Sequence, residues 1–448
     1  MNALPNEIFY GFAWLPNGAQ IPFHFENGFI TLFCGLRMIP SERSISCIEA
    51  QDREGKSLLF HFSIPLQTEP TIPTIVVGKS EPPTSQTFLS GNITCLVDYY
   101  VMDYDSGVSF THMGFSFAEL DSFYPSTRMY KRSCKKYKFS RKAERNELFS
   151  FECSDREVSL FVDTFVVCSS RSLSKCIVET KTRLVLKFTE TNDFGFFMGL
   201  YTIVHNFFSF IYNRRNISLC SATLSDSRPS PQTIVVIDKY KHESEEKTIL
   251  PLFGAFSSHL KELFQLFLDD KYDIFSIHPS SSLRNYFDLG HCLSIMSAFE
   301  YYHRTFLPAI SSPSTVTFYE DMKKLVQNYI DESSGRIKTK AKEFHKSIRP
   351  EISLGQRITK VYNGYEGWKS VKTILSGWFG EDVSGLADIA NEWRNELAHG
   401  KREFEPNKNV ITATRLVEHL NYCMVLREAG YTDDEIELII ENILSRNM

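Results

Sequence analysis

The sequence lacks most of the features that would assign a compartment or a cofactor at sight. Its ten cysteines include no C-x-x-C pair and no Cys/His group at zinc-ligand spacing, which excludes a zinc-finger scaffold and a dense disulfide framework. A reduced, cytoplasmic protein with inert thiols, no metal and no cofactor is expected. The opening, MNALPNEIFYGF, has neither the basic start nor the apolar run of a secretory signal. No internal repeat and no long low-complexity tract is present. A large excess of one charge is also missing. A net −5 over 448 residues argues against indiscriminate nucleic-acid binding, although a local basic patch is compatible with RNA as a partner. One apolar run, Phe194 to Tyr212, is about long enough to cross a bilayer. His205 and Asn206 would then sit near mid-membrane at a high cost, so a buried helix and no stable membrane association are expected.

The chain does carry many aromatics, 37 Phe and 20 Tyr, which suit half-buried pleated surfaces and predict a substantial β portion. In QIPFHFE, Ile21, Phe23 and Phe25 alternate with polar neighbours and Pro22, the period of a strand. Asn27-Gly28 offers a tight turn, and Ile30, Leu32 and Cys34 follow, so residues 19–34 read as a hairpin. Similar runs recur at Ile93 to Tyr100, Val158 to Val167 and Leu184 to Phe188, spaced as in an antiparallel sandwich or barrel. From about residue 190 the pattern is mixed, with the apolar helix, a strand at Ile234 to Ile237 and a helix around Phe256 to Leu268. The N-terminal region is placed at residues 1–278, ending at a Pro-led polar linker, His278 to Ser282.

Beyond the linker, over residues 283–448, the 3.6-residue period predicts an all-α bundle, making the chain α+β. Helices are expected at Leu283–Phe306, Tyr319–Ile330, Gly335–Phe344, Leu354–Tyr362, Val371–Trp378, Leu386–Ala398, Val410–Ala429 and Asp433–Leu444. Gly400 and Gly430 stand where left-handed caps fall, and Thr432 with Glu435 forms a capping-box pattern.

The helix at Leu386–Ala398 carries the chemistry. Leu386, Ile389, Trp393 and Leu397 form its expected apolar stripe. At about 100° per residue, Arg394 lies roughly 80° from that stripe, with Asn391, Asn395 and His399 on the polar side. A histidine titrating near neutrality can move the proton in phosphodiester cleavage. An arginine can hold phosphate oxygens and stabilise transition-state charge, and Asn395, one turn before His399, can orient its ring. Carboxylates at metal spacing do not accompany them, so a metal-free reaction using the 2′-hydroxyl of RNA is the economical expectation. R-x4-H is short, however. A surface arginine and a helix-capping histidine explain it equally, and Arg284 to His291 fits a looser spacing.

Arg394-Asn395-Glu396-Leu397-Ala398-His399 resembles the R-x(4–6)-H motif of HEPN ribonucleases, on a late helix of an α-bundle. FEYYHRTF at Phe299 to Phe306 and SLGQRITKVY at Ser353 to Tyr362 are similar to upstream helices of the ApeA-type HEPN family. GFAWLPNGAQIPFHFENGFITLFCG, Gly11 to Gly35, resembles the opening of the ApeA N-terminal domain, while residues 120–270 match loosely. The resemblance implies Arg394 and His399 as a catalytic pair with Asn395, and a metal-independent endoribonuclease that leaves a 2′,3′-cyclic phosphate. It further implies anti-phage defence by growth arrest, and action as a homodimer through the HEPN domain. A phage-derived activator acting on the N-terminal region is also expected. Asn391 is a supporting residue. Glu300, on the first bundle helix, can pair with Arg394 or another motif residue; a surface ion pair or a solvent-facing role explains it equally.

Two basic stretches are candidate RNA contacts: Lys135, Lys136, Tyr137 and Lys138 in one, Lys338, Lys340 and Lys342 in the other. Ordinary solvated surfaces explain both as well. Two other functional classes stay open at this point, a non-catalytic HEPN binding module and a toxin held by a separate antitoxin.

Overall fold

A computed structural model describes residues 7–15, 18–33, 45–66, 92–124, 130–133, 136–139, 144–172, 175–214, 217–226, 231–237, 252–269, 289–307, 313–348, 353–398 and 407–444. The chain divides into two compact units. One comprises residues 1–208 and 216–253, the other residues 209–215 and 254–448. The expected linker at residues 278–282 lies outside the described residues.

The first unit is built on antiparallel strands. They are β1 (Phe9–Trp14), β2 (Gln20–Glu26), β3 (Phe29–Phe33), β4 (Ile45–Asp52), β5 (Ser57–Leu66), β6 (Asn92–Leu96), β7 (Tyr99–Met102) and β8 (Phe110–Phe115). After helix α1 (Ala118–Phe123) come β9 (Tyr130–Ser133), β10 (Lys136–Phe139), β11 (Glu144–Cys153), β12 (Arg156–Ser172) and β13 (Lys175–Thr191). Helix α2 (Phe194–Tyr212) precedes β14 (Ser221–Ser225) and β15 (Gln232–Val236). Thirteen strands form one sheet in the order β11-β12-β13-β8-β14-β15-β7-β5-β4-β1-β2-β3-β6, and β9 pairs with β10 separately.

Alternation drives the β1–β7 portion: Ile21, Phe23 and Phe25 face inward with Ile30 and Leu32. The β2–β3 turn has Asn27 and Gly28 both at positive φ, 53° and 80°, the requirement of a tight primed hairpin turn. Three strands separate β2 from β7 in the sheet, yet the Phe25 and Tyr100 ring centroids lie 5.3 Å apart. The sheet therefore curls around this aromatic core in a barrel-like manner. The run Ile93 to Tyr100, read as one strand, is two. The amide of Val97 donates to Gly28 and that of Asp98 to His61, so the chain changes partner strand between β6 and β7.

Helix α2 is the one described helix long and apolar enough to cross a membrane. Much of it is buried inside the protein, including Phe197, Leu200, Val204, Phe208, Phe210 and Ile211. Phe197 packs edge-on against Phe110 at 5.9 Å.

The second unit is helical. Helices α3 (Phe253–Phe256) and α4 (Leu260–Leu268) lead into α5 (Leu289–Phe306), α6 (Pro313–Glu332), α7 (Gly335–Ser347) and α8 (Leu354–Asn363). Then come α9 (Lys372–Phe379), α10 (Ser384–Ala398), α11 (Lys408–Glu428) and α12 (Asp433–Ile443). Helix α11 is the hub, with Leu416, Val417, Leu420, Tyr422, Met424 and Val425 all fully buried. Thr432 and Glu435 form the expected capping box, and Gly430 has the expected positive φ of 95°.

The end of α2 completes this unit. Asn213 takes a left-handed φ of 47°, which asparagine tolerates better than most residues. Its Nδ2 donates to Glu418 Oε1 of α11 at 3.2 Å. Burial raises the pKa of half-buried Glu418 to about 7, against the lowering influence of Asn213 and Arg415. An unfolded glutamate titrates near about 4.3. The folded chain thus holds this proton more tightly, and the Glu418 contribution to stability falls as pH rises from about 4.3 to about 7. Glu418→Gln is expected to leave stability at pH 4 unchanged and to raise it by roughly 1–3 kcal/mol at pH 8. Urea melts of both proteins at the two pH values check this, and an equal wild-type-to-variant difference at each refutes it. His303 and His419, with pKa values lowered to about 4 by burial, weaken both proteins alike as pH falls and cancel in the comparison.

Candidate active site

Helix α10 positions the motif. Its fully buried residues are Ala387, Ala390 and Trp393. Trp393 packs with Cys292 of α5 and Val410 of α11, with Ile389 and Leu397 partly buried against them. The buried face is therefore rotated by roughly 50° from the expected Leu386, Ile389, Trp393 and Leu397 stripe, and Leu386 is only half-buried. Small residues cause the shift. Gly355 of α8 lets the two backbones approach closely, since a Cβ there would crowd the Ala387 carbonyl oxygen at 3.0 Å. Alanines thus meet the neighbouring helix backbone, where hydrophobic periodicity gives them little weight.

The rotation brings Arg394 to the rim of the packed face rather than out into solvent. Arg394 Nη2 lies 3.3 Å from Glu300 Oε2 of α5, with side chains 37% and 23% exposed. Of the roles open to Glu300, the structure shows the pair with Arg394 itself. Arg394 Nη1 also reaches Asn395 Oδ1 at 3.4 Å. At this exposure the pair contributes little net stability, but it constrains the direction of a long side chain. Asn395 is exposed and Asn391 half-buried, so both occupy the polar side as expected. His399 follows the last residue of α10 and, like Gly400, lies outside the described residues.

One group near Glu300 escaped the sequence reading. His303, one turn further along α5, is buried, and burial together with Arg357 of α8 and Arg304 lowers its pKa to about 4. It is neutral at physiological pH, and the cationic side chain of Arg357 lies close enough to oppose its protonation. The signal available was the three-residue spacing from Glu300 to His303 in FEYYHRTF. Nothing in the sequence, however, says that the two helices meet.

The remaining candidates belong to other parts of the chain. Lys136, Tyr137 and Lys138 lie on β10 in the first unit, and Lys135 is outside the described residues. Lys338, Lys340 and Lys342 project from α7, the last two exposed. In the looser motif, Arg284 is outside the described residues and His291 belongs to α5. Residues 293–435, from the second turn of α5 to the first turn of α12, match the family model described as Apea-like HEPN. No curated protein and no solved structure matches the chain.

Proposed function

We propose that this chain, whose residues 293–435 match the Apea-like HEPN family model, is an endoribonuclease of anti-phage defence acting in the cytoplasm. The observation that carries the reading is Arg394. It is a half-exposed cation held by Glu300 and stands five residues before His399 inside the family-matched segment. His399 would take the proton of the RNA 2′-hydroxyl, and the oxygen so freed would attack the adjacent phosphorus. Arg394 would stabilise the extra negative charge on the phosphoryl oxygens. The 5′-oxygen would leave with a proton and a 2′,3′-cyclic phosphate would remain. Each of these steps uses a proton carrier and a fixed cation. A homodimer through this domain would let two chains share Arg394 and His399 in one cleft. The N-terminal unit would respond to a phage-derived activator.

The experiment is cleavage of RNA by the purified chain in excess EDTA, with the new ends identified. Undiminished cleavage with cyclic phosphate ends is expected. Activity lost to the chelator and restored by a divalent metal, or 3′-hydroxyl ends, overturns the mechanism. The Arg394–Glu300 ion pair favours one second reading, a binding module in which the arginine stays neutralised. In that case no RNA is cut with or without metal.

A further inference from the structure

Helices α6 and α7 stand apart from the rest of the helical unit in how they pack. Among the described elements they make substantial contact only with each other. Met322, Val326 and Ile330 of α6 and Ala341 of α7 lie on their more buried sides, Ile330 and Ala341 fully so. A second set of large apolar residues is left outside. Phe318, Leu325 and Tyr329 of α6, and Ile337 and Phe344 of α7, are each between 56% and 62% exposed.

These five are not scattered. On α6 the spacing of seven and then four residues puts Phe318, Leu325 and Tyr329 within roughly 40° of one another. Ile337 and Phe344, seven apart, do the same on α7. Each outer stripe is offset from its buried side in the same rotational sense. Since residues 333–334 turn the chain back, that sense reverses in space, and both stripes fall on one face of the hairpin. The combined apolar arc on α6 is wider than a two-helix hairpin can cover, and is the width a helix shows inside a bundle.

We propose that this face pairs with the same face of a second copy of the chain, the two hairpins closing into a four-helix bundle. Area supports it. Side chains of this size carry roughly 150–250 Å² each. Five of them slightly more than half exposed give on the order of 500 Å² per copy, or about 1,000 Å² in the pair, the lower bound for a specific interface. Charge supports it as well. Helix α6 carries Glu320, Asp321, Asp331 and Glu332 against Lys323 and Lys324. Helix α7 carries Arg336, Lys338, Lys340 and Lys342 against Glu343. The pairing in which α6 of one copy lies on α7 of the other brings the acidic helix to the basic one and is self-complementary about a two-fold axis. The exposed motif face of α10 is polar and offers little apolar area of its own. The basic stretch of α7 thereby gains a role that needs no RNA.

The proposal is independent of RNA cleavage, and its readout is mass. Sedimentation of the full chain at micromolar concentration is expected to give a dimer. Leu325→Glu with Ile337→Glu should weaken self-association at least tenfold, toward a monomer of unchanged helicity by circular dichroism. Leu438→Glu, at an isolated exposed leucine of α12, should remain dimeric. A monomeric wild type overturns the pairing, as does a double variant that dimerises as well as wild type. A monomeric wild type whose RNA affinity falls with Tyr329→Ala or Phe344→Ala would assign the face to RNA instead. Should Arg394→Ala prove fully active, the nuclease reading fails while this result stands.

Discussion

Arg394→Ala and His399→Ala are each expected to reduce RNA cleavage by about 10²–10⁴-fold, the range for losing a general base or a transition-state cation, with far-ultraviolet circular dichroism unchanged. The fold should tolerate both. Trp393, Ala387 and Ala390 supply the buried face of α10, whereas Arg394 sits at its rim in a half-exposed ion pair with Glu300, an arrangement contributing at most about 1 kcal/mol. Arg394→Lys should also fail to restore full activity, because a point charge cannot hold two phosphate oxygens in the planar manner of a guanidinium. Activity within twofold of wild type in either alanine variant sinks the assignment. Mixing the two inactive variants examines the shared cleft. Partial recovery is expected if each site draws one group from each chain.

The second large effect concerns where the helical unit begins. A chain starting at residue 283 is expected to be poorly folded, with weak near-ultraviolet dichroism and exposed apolar surface, even though it contains the whole family-matched segment. The reason is α11. Tyr422 stacks on Phe210 with centroids 4.6 Å apart, and its hydroxyl donates to the Phe210 carbonyl oxygen at 2.9 Å. The Tyr431 hydroxyl donates to the Phe256 carbonyl oxygen at 2.8 Å. Leu263, Phe264 and Phe267 of α4 are buried as well, with Phe267 5.9 Å from Phe210. Starting at residue 283 removes these partners, leaves two buried phenols unsatisfied and opens the core. In the full chain Phe210→Ala alone should cost about 3–5 kcal/mol, a large part of the roughly 5–15 kcal/mol that holds a domain. Urea denaturation followed by tryptophan fluorescence measures it. A cooperative, fully stable 283–448 fragment would refute the dependence.

Local signals carried much of this architecture. The hairpin at residues 19–34 was legible because Asn27-Gly28 meets a steric requirement for positive φ between two alternating runs. The end of α11 and the start of α12 were legible because Gly430, Thr432 and Glu435 satisfy backbone groups within a few residues of themselves. The span of the motif helix is legible for the same reason, but the apolar periodicity puts its buried face too far from Arg394. Periodicity weighs side-chain size, while Ala387 and Ala390 are buried because Gly355 lets another helix approach them.

Whatever depends on neighbours within a turn or two is legible in the chain itself: element type, caps, the tight hairpin, and Arg394 and Asn395 following one another on α10. Tertiary structure alone decided what depends on residues distant in the chain. It chose Glu300 as the partner of Arg394 across 94 positions and let the end of α2 complete the core around Tyr422. It also left the apolar face of α6 and α7 uncovered. Such outcomes follow from which surfaces exclude water together, and that is a property of the packed chain rather than of any window along it.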